Sequence, residues 1–196
     1  GLTAAKVACY TPATIFADEV GNQGNIIEVS TYQELKEALG YNKYDEEKGA
    51  FVATEGTAKE GDTIKLTADL IAETDKANPK GNKRTGDSAT DARFDSTTGA
   101  TVTVATNNVT IDGNGHTIDG DGYPTFDFDG VKGAELKNIT VEDGAYTAKI
   151  GGAIFVEYGA EVSMDNITVK DSSANATSAF NGGGAIYINN HRGDAP

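Results

Sequence analysis

Cysteine and histidine are scarce, and each shortage excludes a class of functional site. Cys9 is the only cysteine, so the chain forms no internal disulfide and no thiolate zinc site. The two histidines, His116 and His191, lie in no nucleophile motif such as G-x-S-x-G, and no P-loop is present. No apolar run approaches the length that crosses a membrane. The sequence therefore predicts no catalytic triad and no direct membrane insertion.

Basic residues are also few, because 16 Lys and Arg stand against 30 Asp and Glu, a formal net charge of −14. Nucleic acids and anionic lipids are bound by clustered Lys and Arg, so neither is expected as a partner. Glycine, in contrast, is abundant at 24 residues and has no collagen period. Glycine at this density is typical of many tight turns between short strands.

The first half of the chain divides into an N-terminal segment, residues 1–25, and a capping region, residues 26–100. Residues 2–17 are small and mostly apolar, and two interpretations stay open: the remnant of a secretory leader, or an N-terminal cap strand. Residues 26–29 predict a short strand. Residues 31–39 predict an amphipathic helix, because Thr-Tyr-Gln-Glu is a capping box and a glycine follows the helix.

The remainder of the capping region alternates strands with polar segments. Residues 41–49 predict a polar loop, and residues 51–53 and 63–70 predict strands, the second because apolar and polar side chains alternate along it. Residues 73–100 are a long polar excursion that contains one proline and many charges. Such a loop is uncommon in a compact domain, which favours an insertion or a mobile binding segment.

From residue 101 onward the sequence repeats. The segment Asn-Val-Thr-Ile-Asp at 108–112 is followed by similar segments at 138–142 and 166–170, and Gly-Gly-Ala-Ile occurs at 151–154 and 183–186. Two motifs that recur at similar periods and in the same order indicate a solenoid. Because the repeats hold short alternating strands between Gly, Asn and Asp, the sequence predicts a mostly-β fold, a parallel β-helix, whose first coils occupy residues 101–196.

Stacking of the coils predicts two apolar ladders and one polar ladder. The apolar ladders are Val109 and Ile111 over Ile139 and Val141 over Ile167 and Val169, and Phe126 and Phe128 over Ile154 and Val156 over Ile186 and Ile188. The polar ladder is formed by Asn108, Asn138 and Asn166, whose amides bond their neighbours above and below. The same asparagines match the N-glycosylation pattern, but recurrence at one position of a repeat favours the structural role.

These motifs resemble a known group of proteins. The helix, the segment Ile-Asp-Gly-Asn-Gly-His-Thr-Ile-Asp-Gly at 111–120 and the asparagine turns resemble the right-handed parallel β-helix of the pectate-lyase-like superfold. The resemblance implies that helix 31–39 covers the apolar end of the coils. The paired Gly-Gly-Ala-Ile motifs resemble those of chlamydial polymorphic membrane proteins and related autotransporter-type adhesins, which implies a bacterial protein that is secreted or displayed on the cell surface, with further coils beyond Pro196.

The preferred function is that of a non-catalytic adhesin-like scaffold that binds glycans or proteins of a host or microbe. A strip of aromatic side chains is the candidate glycan-binding surface: Tyr123, Tyr146, Phe155, Tyr158 and Tyr187. Arg192, Gly193 and Asp194 spell the integrin-binding tripeptide, a second candidate site.

The alternative is the N-terminal part of a polysaccharide lyase or hydrolase of the same superfold. Carboxylates are plentiful, but no catalytic pair can be assigned, and the expected cofactor is none, with calcium as the alternative. The candidate calcium ligands are Asp119, Asp121, Asp127 and Asp129, which supply hard oxygen atoms. Two or three carboxylates on one outward face with a basic residue nearby would favour the enzyme, and scattered acids without a groove would favour the adhesin.

Overall fold

The computed structural model describes residues 24–45, 47–72, 100–146, 152–174 and 183–189. These ranges are mostly β-strand, with one α-helix, and most of the strands lie in parallel sheets. The segment 2–17, nearly all of the excursion 73–100 and the tripeptide Arg192–Asp194 lie outside the described residues. Within the described ranges, no helix is long and apolar enough to cross a membrane.

The helix, α1, spans Tyr32–Leu39 and confirms the prediction from the capping box. The N–H of Glu34 donates to the Thr31 hydroxyl at 3.1 Å, and the Glu34 carboxylate accepts the Thr31 N–H at 3.2 Å. Hydrogen bonds from Ser30, chiefly from its backbone N–H, hold the pKa of Glu34 below its ordinary value. The predicted apolar face, Tyr32, Leu35 and Leu39, is buried in the main core.

The strands are short and separated by turns. Their bounds are β1 Ile26–Val29, β2 Gly40–Asp45, β3 Ala50–Glu55, β4 Thr63–Leu66, β5 Leu70–Ile71, β6 Val102–Val104, β7 Thr110–Asp112, β8 Thr117–Asp119, β9 Phe126–Asp129, β10 Ala134–Glu142, β11 Ala145–Tyr146, β12 Ile154–Glu157, β13 Val162–Lys170, β14 Ser173–Ala174 and β15 Ile186–Ile188.

The parallel strands form three sheets within the described ranges. The largest has the order β1-β4-β7-β10-β8-β5, with β13 also paired to β10. The second has the order β15-β12-β9-β6, and the third pairs β11 with β14. From β10 onward the chain visits the large sheet, the two-stranded sheet and the four-stranded sheet, and then visits all three again in the same order.

The apolar ladder predicted for the four-stranded sheet is confirmed. Phe126 lies opposite Ile154, which lies opposite Ile186, and Phe128 lies opposite Val156, which lies opposite Ile188. Both phenylalanines are fully buried, and their rings are 5.9 Å apart. Burial of each such side chain contributes roughly 1.5–3 kcal/mol, so this ladder is a principal source of stability.

The ladder predicted for the large sheet is correct in one half and wrong in the other. Ile139 lies opposite Ile167 and Val141 opposite Val169, as predicted. Ile111, however, lies opposite Leu136, and Ile118 lies opposite Val141, so Val109 and Ile111 do not stack on Ile139 and Val141.

The physical reason is that two short strands, β7 and β8, both pair with the single long strand β10. The turn between them brings Gly113 against Ile139, where an added Cβ would lie 2.4 Å from the Ile139 Cβ. The predicted register, Ile111 opposite Val141, and the observed register, Ile111 opposite Leu136, both place apolar side chains in the core. The alternation of apolar and polar side chains alone therefore does not distinguish the two registers.

The predicted polar loop 41–49 is also wrong. Gly40–Asp45 is a strand that pairs antiparallel with Ala50–Glu55 and forms a hairpin. The Asp45 carboxylate closes the turn by accepting the N–H groups of Glu47 at 2.9 Å and Lys48 at 3.0 Å. The hairpin leaves the helix through Gly40, whose φ of 121° is unfavourable for other residues. An added Cβ there would lie 3.0 Å from the carbonyl oxygens of Thr54 and Thr103.

Candidate functional site

A cavity of about 520 Å³ lies between the hairpin and the four-stranded sheet. Its walls come from the hairpin and the segment that follows it on one side, and from β6 and β9 on the other. The polar residues of its lining include Thr54, Lys59, Thr103, Thr106, Asp127 and Asp129. Small-molecule sites are generally about 300–1,000 Å³, so the cavity is large enough for a ligand.

The carboxyl groups reach the cavity because of strand alternation. In the strand Phe-Asp-Phe-Asp, Phe126 and Phe128 point into the core, so Asp127 and Asp129 point to the opposite face. Asp127 is only 2% exposed, and its Oδ1 atom has no hydrogen-bond partner. Asp129, two residues later, is exposed to solvent.

A second unpartnered polar atom lies beside Asp127. Thr103 of β6 is directly opposite Asp127 in the parallel register, and its Oγ1 atom is buried without a partner. Neighbouring strands are about 4.8 Å apart, so the two side chains are adjacent on one face of the sheet. Buried polar atoms are nearly always hydrogen-bonded, which makes this pair of unpartnered atoms exceptional.

Burial changes the protonation of this cluster. Loss of solvation, together with the smaller effect of the nearby Glu157 and Asp129 carboxylates, raises the pKa of Asp127 from 3.8 to about 8. Loss of solvation also raises the pKa values of Asp129 and Glu157. Glu157 lies directly opposite Asp129 on β12. Asp127 is therefore a protonated carboxylic acid at neutral pH.

No cation balances these three carboxyl groups within the part of the chain that the structure describes. The ion pairs there involve other acids, such as Glu161 with Lys132 at 2.7 Å and Glu142 with Lys170 at 2.6 Å. The nearby Tyr158 hydroxyl also has a raised pKa, mainly because of the Glu157 charge. The cluster is thus an acidic site that forms no ion pair with a described side chain.

The four candidate calcium ligands do not form one site. Asp119 and Asp121 lie at the end of a strand of the large sheet, where Asp119 Oδ1 accepts the Asp121 N–H at 2.8 Å and forms a turn. Asp127 and Asp129 lie in the four-stranded sheet. Over the described ranges, no group of three or more His, Cys, Asp or Glu residues is arranged to hold a metal ion.

The aromatic residues do not form an exposed strip. Phe155 and Tyr187 are aligned on neighbouring strands, with ring centroids 6.4 Å apart, as the repeat predicts. Phe155 is fully buried, however, so the prediction that it faces solvent is wrong. Tyr123 is also buried, at 2% exposure, whereas Tyr158 is 54% exposed. The Tyr146 side chain lies outside what the structure describes.

The asparagine ladder is present between two of its three predicted members. Asn166 Nδ2 donates to Asn138 Oδ1 at 3.0 Å, and both residues have the positive φ expected of turn asparagines. Asn138 Nδ2 donates onward to Asp112 Oδ1 at 3.2 Å. Asn108, in contrast, donates to Glu60, so its predicted place in the ladder is wrong. The shifted register of β7 on β10 places an aspartate where a third asparagine was expected.

His116 contacts an acid that lies between β4 and β5. Its Nδ1 atom lies 3.1 Å from Asp69 Oδ1, and the same carboxylate accepts the Thr117 N–H at 2.9 Å. These hydrogen bonds, chiefly the one from Thr117, lower the pKa of Asp69. The contact links the residues after β4 to the start of β8.

The sequence indicated Asp127 and Asp129 but missed Glu157, Thr103 and the hairpin that covers them. A usable signal for Glu157 was present, because it follows Phe155 by two residues, as Asp129 follows Asp127. The covering hairpin had a weak signal, because four of the six residues of its first strand, Gly, Asn, Lys and Asp, are depleted in strands.

Comparison of the chain with protein-family models, curated proteins and solved structures gives no match in any of the three.

Proposed function

We propose that the parallel sheets are the first coils of a right-handed parallel β-helix with α1 as its cap. The support is the regular spacing of paired residues: Ala134 pairs with Val162, 28 residues later, and Phe126 with Ile154, also 28 residues later. The recurring order in which the chain visits the three sheets supports the same architecture. The half-exposed apolar residues of β13, such as Met164 and Ile167, form a surface on which a further coil of the same protein packs.

We propose that the protein is an adhesin-like scaffold, secreted or displayed on the cell surface, that binds a glycan in the cavity between the hairpin and the sheet. The observation that carries this proposal is Asp127, a buried residue that lines a cavity of about 520 Å³ and has a carboxyl oxygen, Oδ1, without a hydrogen-bond partner. Sugar hydroxyls both donate and accept hydrogen bonds, so they satisfy a protonated carboxyl and the Thr103 hydroxyl. The resemblance to surface adhesins favours the same class of ligand.

A glycan array tests this proposal. We expect the full chain to bind a defined set of glycans and the Asp127→Ala variant to lose that binding. Asp165→Asn is the matched control, because Asp165 is an exposed acid on the large sheet. Binding that Asp127→Ala leaves unchanged would place the glycan site elsewhere. Repeating the array with calcium and with a chelator tests whether the ion takes part.

A second function, hydrolysis of a polysaccharide, is favoured by the acidic cluster itself. Asp127, Asp129 and Glu157 lie on one face of the four-stranded sheet, and Lys59 lines the same cavity as the two aspartates, which is the arrangement expected to favour an enzyme. A carboxyl group that is protonated at neutral pH can serve as the general acid, and an ionised neighbour can serve as base or nucleophile. An adhesin and a hydrolase must both bind the glycan, so glycan binding is the primary proposal.

Release of reducing ends from any glycan bound on the array distinguishes the two functions. The hydrolase hypothesis predicts release that Asp127→Asn abolishes, because the amide keeps the shape of the side chain but has no acidic proton to transfer to the leaving group. Binding without release supports the adhesin and contradicts catalysis in these coils.

A further inference from the structure

The charges around the cavity are not balanced. Asp127 and Asp129 line it, and Glu157 lies opposite Asp129, but none of the three forms an ion pair within the described ranges. Repulsion among these carboxyl groups contributes to the raised pKa values of Asp127 and Glu157. A cation placed among them would relieve that repulsion and replace lost solvation. The cluster therefore favours a cationic ligand over an anionic one.

The charged side chains on the other walls of the cavity also sum to a negative charge. The end of the hairpin contributes Glu55, and the segment after it contributes Lys59, the cation, and Glu60; all three are exposed. Lys36 and Tyr41 face each other, with the ammonium 4.4 Å from the ring centroid. With Asp127 protonated, the ionised groups that line the cavity still sum to a negative charge.

The arrangement suits an organic ammonium better than a metal ion. Calcium takes six to eight oxygen ligands, and no metal-binding group of acids is found over the described ranges. An ammonium donates three hydrogen bonds. Asp127 Oδ1 and Thr103 Oγ1 are unpartnered acceptors on adjacent strands, and the Asp129 carboxylate on the same wall supplies the third.

We propose, building on the glycan-binding function above, that the cavity binds a primary ammonium group carried on a hydroxylated ring, as in a deacetylated amino sugar. The ammonium donates to Asp127, Asp129 and Thr103. Thr54 and Thr106 also line the cavity, and their hydroxyls can form hydrogen bonds with the ring hydroxyls of the amino sugar. Its volume of about 520 Å³ accommodates a sugar ring in addition to the ammonium.

Binding of the ammonium is coupled to proton release. Asp127 holds a proton at neutral pH because its pKa is raised to about 8. An adjacent positive charge favours the ionised carboxylate, so the Asp127 proton passes to the buffer as the ammonium binds. A neutral sugar produces no such release, because it leaves Asp127 protonated.

Calorimetric titration of the full chain tests the proposal, with short glucosamine oligomers and their N-acetylated counterparts as probes. At about pH 6 the amine is protonated. We expect the glucosamine oligomers to bind at least about tenfold more tightly, with a heat that depends on the ionisation enthalpy of the buffer. Asp127→Asn should weaken that binding and abolish the buffer dependence, whereas Asp165→Asn should change neither.

Three results would overturn the proposal. Equal affinity for acetylated and deacetylated oligomers would refute the ammonium site while leaving glycan binding intact. Tighter binding of a lysine-containing peptide than of glucosamine oligomers would assign the ammonium to a protein partner. Absence of binding by both oligomers, together with a glycan array without hits, would refute the glycan-binding function as well.

Discussion

Replacement of Asp127 by Asn should make the protein more stable at alkaline pH. Asp127 is 2% exposed and has a pKa of about 8, compared with 3.8 for an ordinary aspartate. Between these two values the folded state holds a proton that the unfolded state has lost. The free energy of unfolding therefore declines as pH rises through this window and reaches its lowest level above about pH 8. An amide cannot ionise, so the variant lacks this decline.

The size of the effect follows from the displaced pKa. At 1.36 kcal/mol per pKa unit, moving the pKa of Asp127 from 3.8 to about 8 corresponds to roughly 5–6 kcal/mol when the group is ionised. Water entry and local relaxation reduce the penalty of a buried charge, so we expect about 2–4 kcal/mol. Glu157 has a raised pKa as well, so a weaker decline should persist in the variant.

Denaturant unfolding at about pH 5 and pH 9 measures most of this difference, because pH 5 lies in the lower part of the window and pH 9 lies above it. The wild-type chain should lose stability between the two, and Asp127→Asn should lose clearly less. Asp165→Asn, a change at an exposed acid, should follow the wild type. If Asp127→Asn and the wild type lose the same stability, Asp127 ionises without penalty and its burial does not determine its pKa.

Three further predictions concern the fold. Phe128→Ala should lower the free energy of unfolding by about 3–5 kcal/mol, because it empties a fully buried position of the apolar ladder; denaturant unfolding that shows less than about 1 kcal/mol would contradict that packing. Thr31→Ala should lower it by about 1 kcal/mol by removing the helix cap, and Thr31→Ser, which keeps the hydroxyl, should not. Asn138→Ala should lower the melting temperature more than Asn108→Ala, because Asn138 bonds Asn166 while Asn108 lies outside the ladder; equal shifts would refute the two-member ladder.

Local patterns predicted the elements whose determinants are local. The capping box at Thr31 and the glycine at position 40 fixed both ends of α1. The alternation of Phe126 to Asp129 fixed which side chains of β9 enter the core. In each case one short stretch of sequence contains the whole physical cause, so no knowledge of the tertiary structure was needed.

The register of the large sheet depended on information outside the repeat. Thr-Ile-Asp occurs twice, at 110–112 and 117–119, and both copies pair with β10. Similarity of motifs aligned the first copy with residues 140–142, whereas pairing aligned it with residues 135–137. Either alignment buries isoleucine, and the observed one requires glycine at position 113, where an added Cβ would lie 2.4 Å from the Ile139 Cβ.

The candidate site was partly beyond sequence reasoning because its walls come from segments distant in the chain. Residue 127 meets residue 103 through sheet register and residues 40–60 through the packing of the hairpin. The sequence identified Asp127 and Asp129 but gave no indication that Asp127 would be buried. Burial distinguishes Asp127 from the exposed acids elsewhere, and burial is a property of the assembled fold.

Asp127 occupies an unusual position among the residues that are paired in register across the four-stranded sheet. In register, Thr103, Asp127, Phe155 and Tyr187 follow one another on the same face, and Phe155 is fully buried. A buried apolar side chain is therefore accommodated one strand away from the carboxyl. A buried acid destabilises the fold unless a ligand or another group forms hydrogen bonds with it. Exceptions of this kind to the usual burial of apolar residues are typical of functional sites. The excess stability expected of Asp127→Asn and the loss of ligand expected of the same variant are two measurements of one cause: a carboxyl group that the fold holds away from water and that a ligand can stabilise.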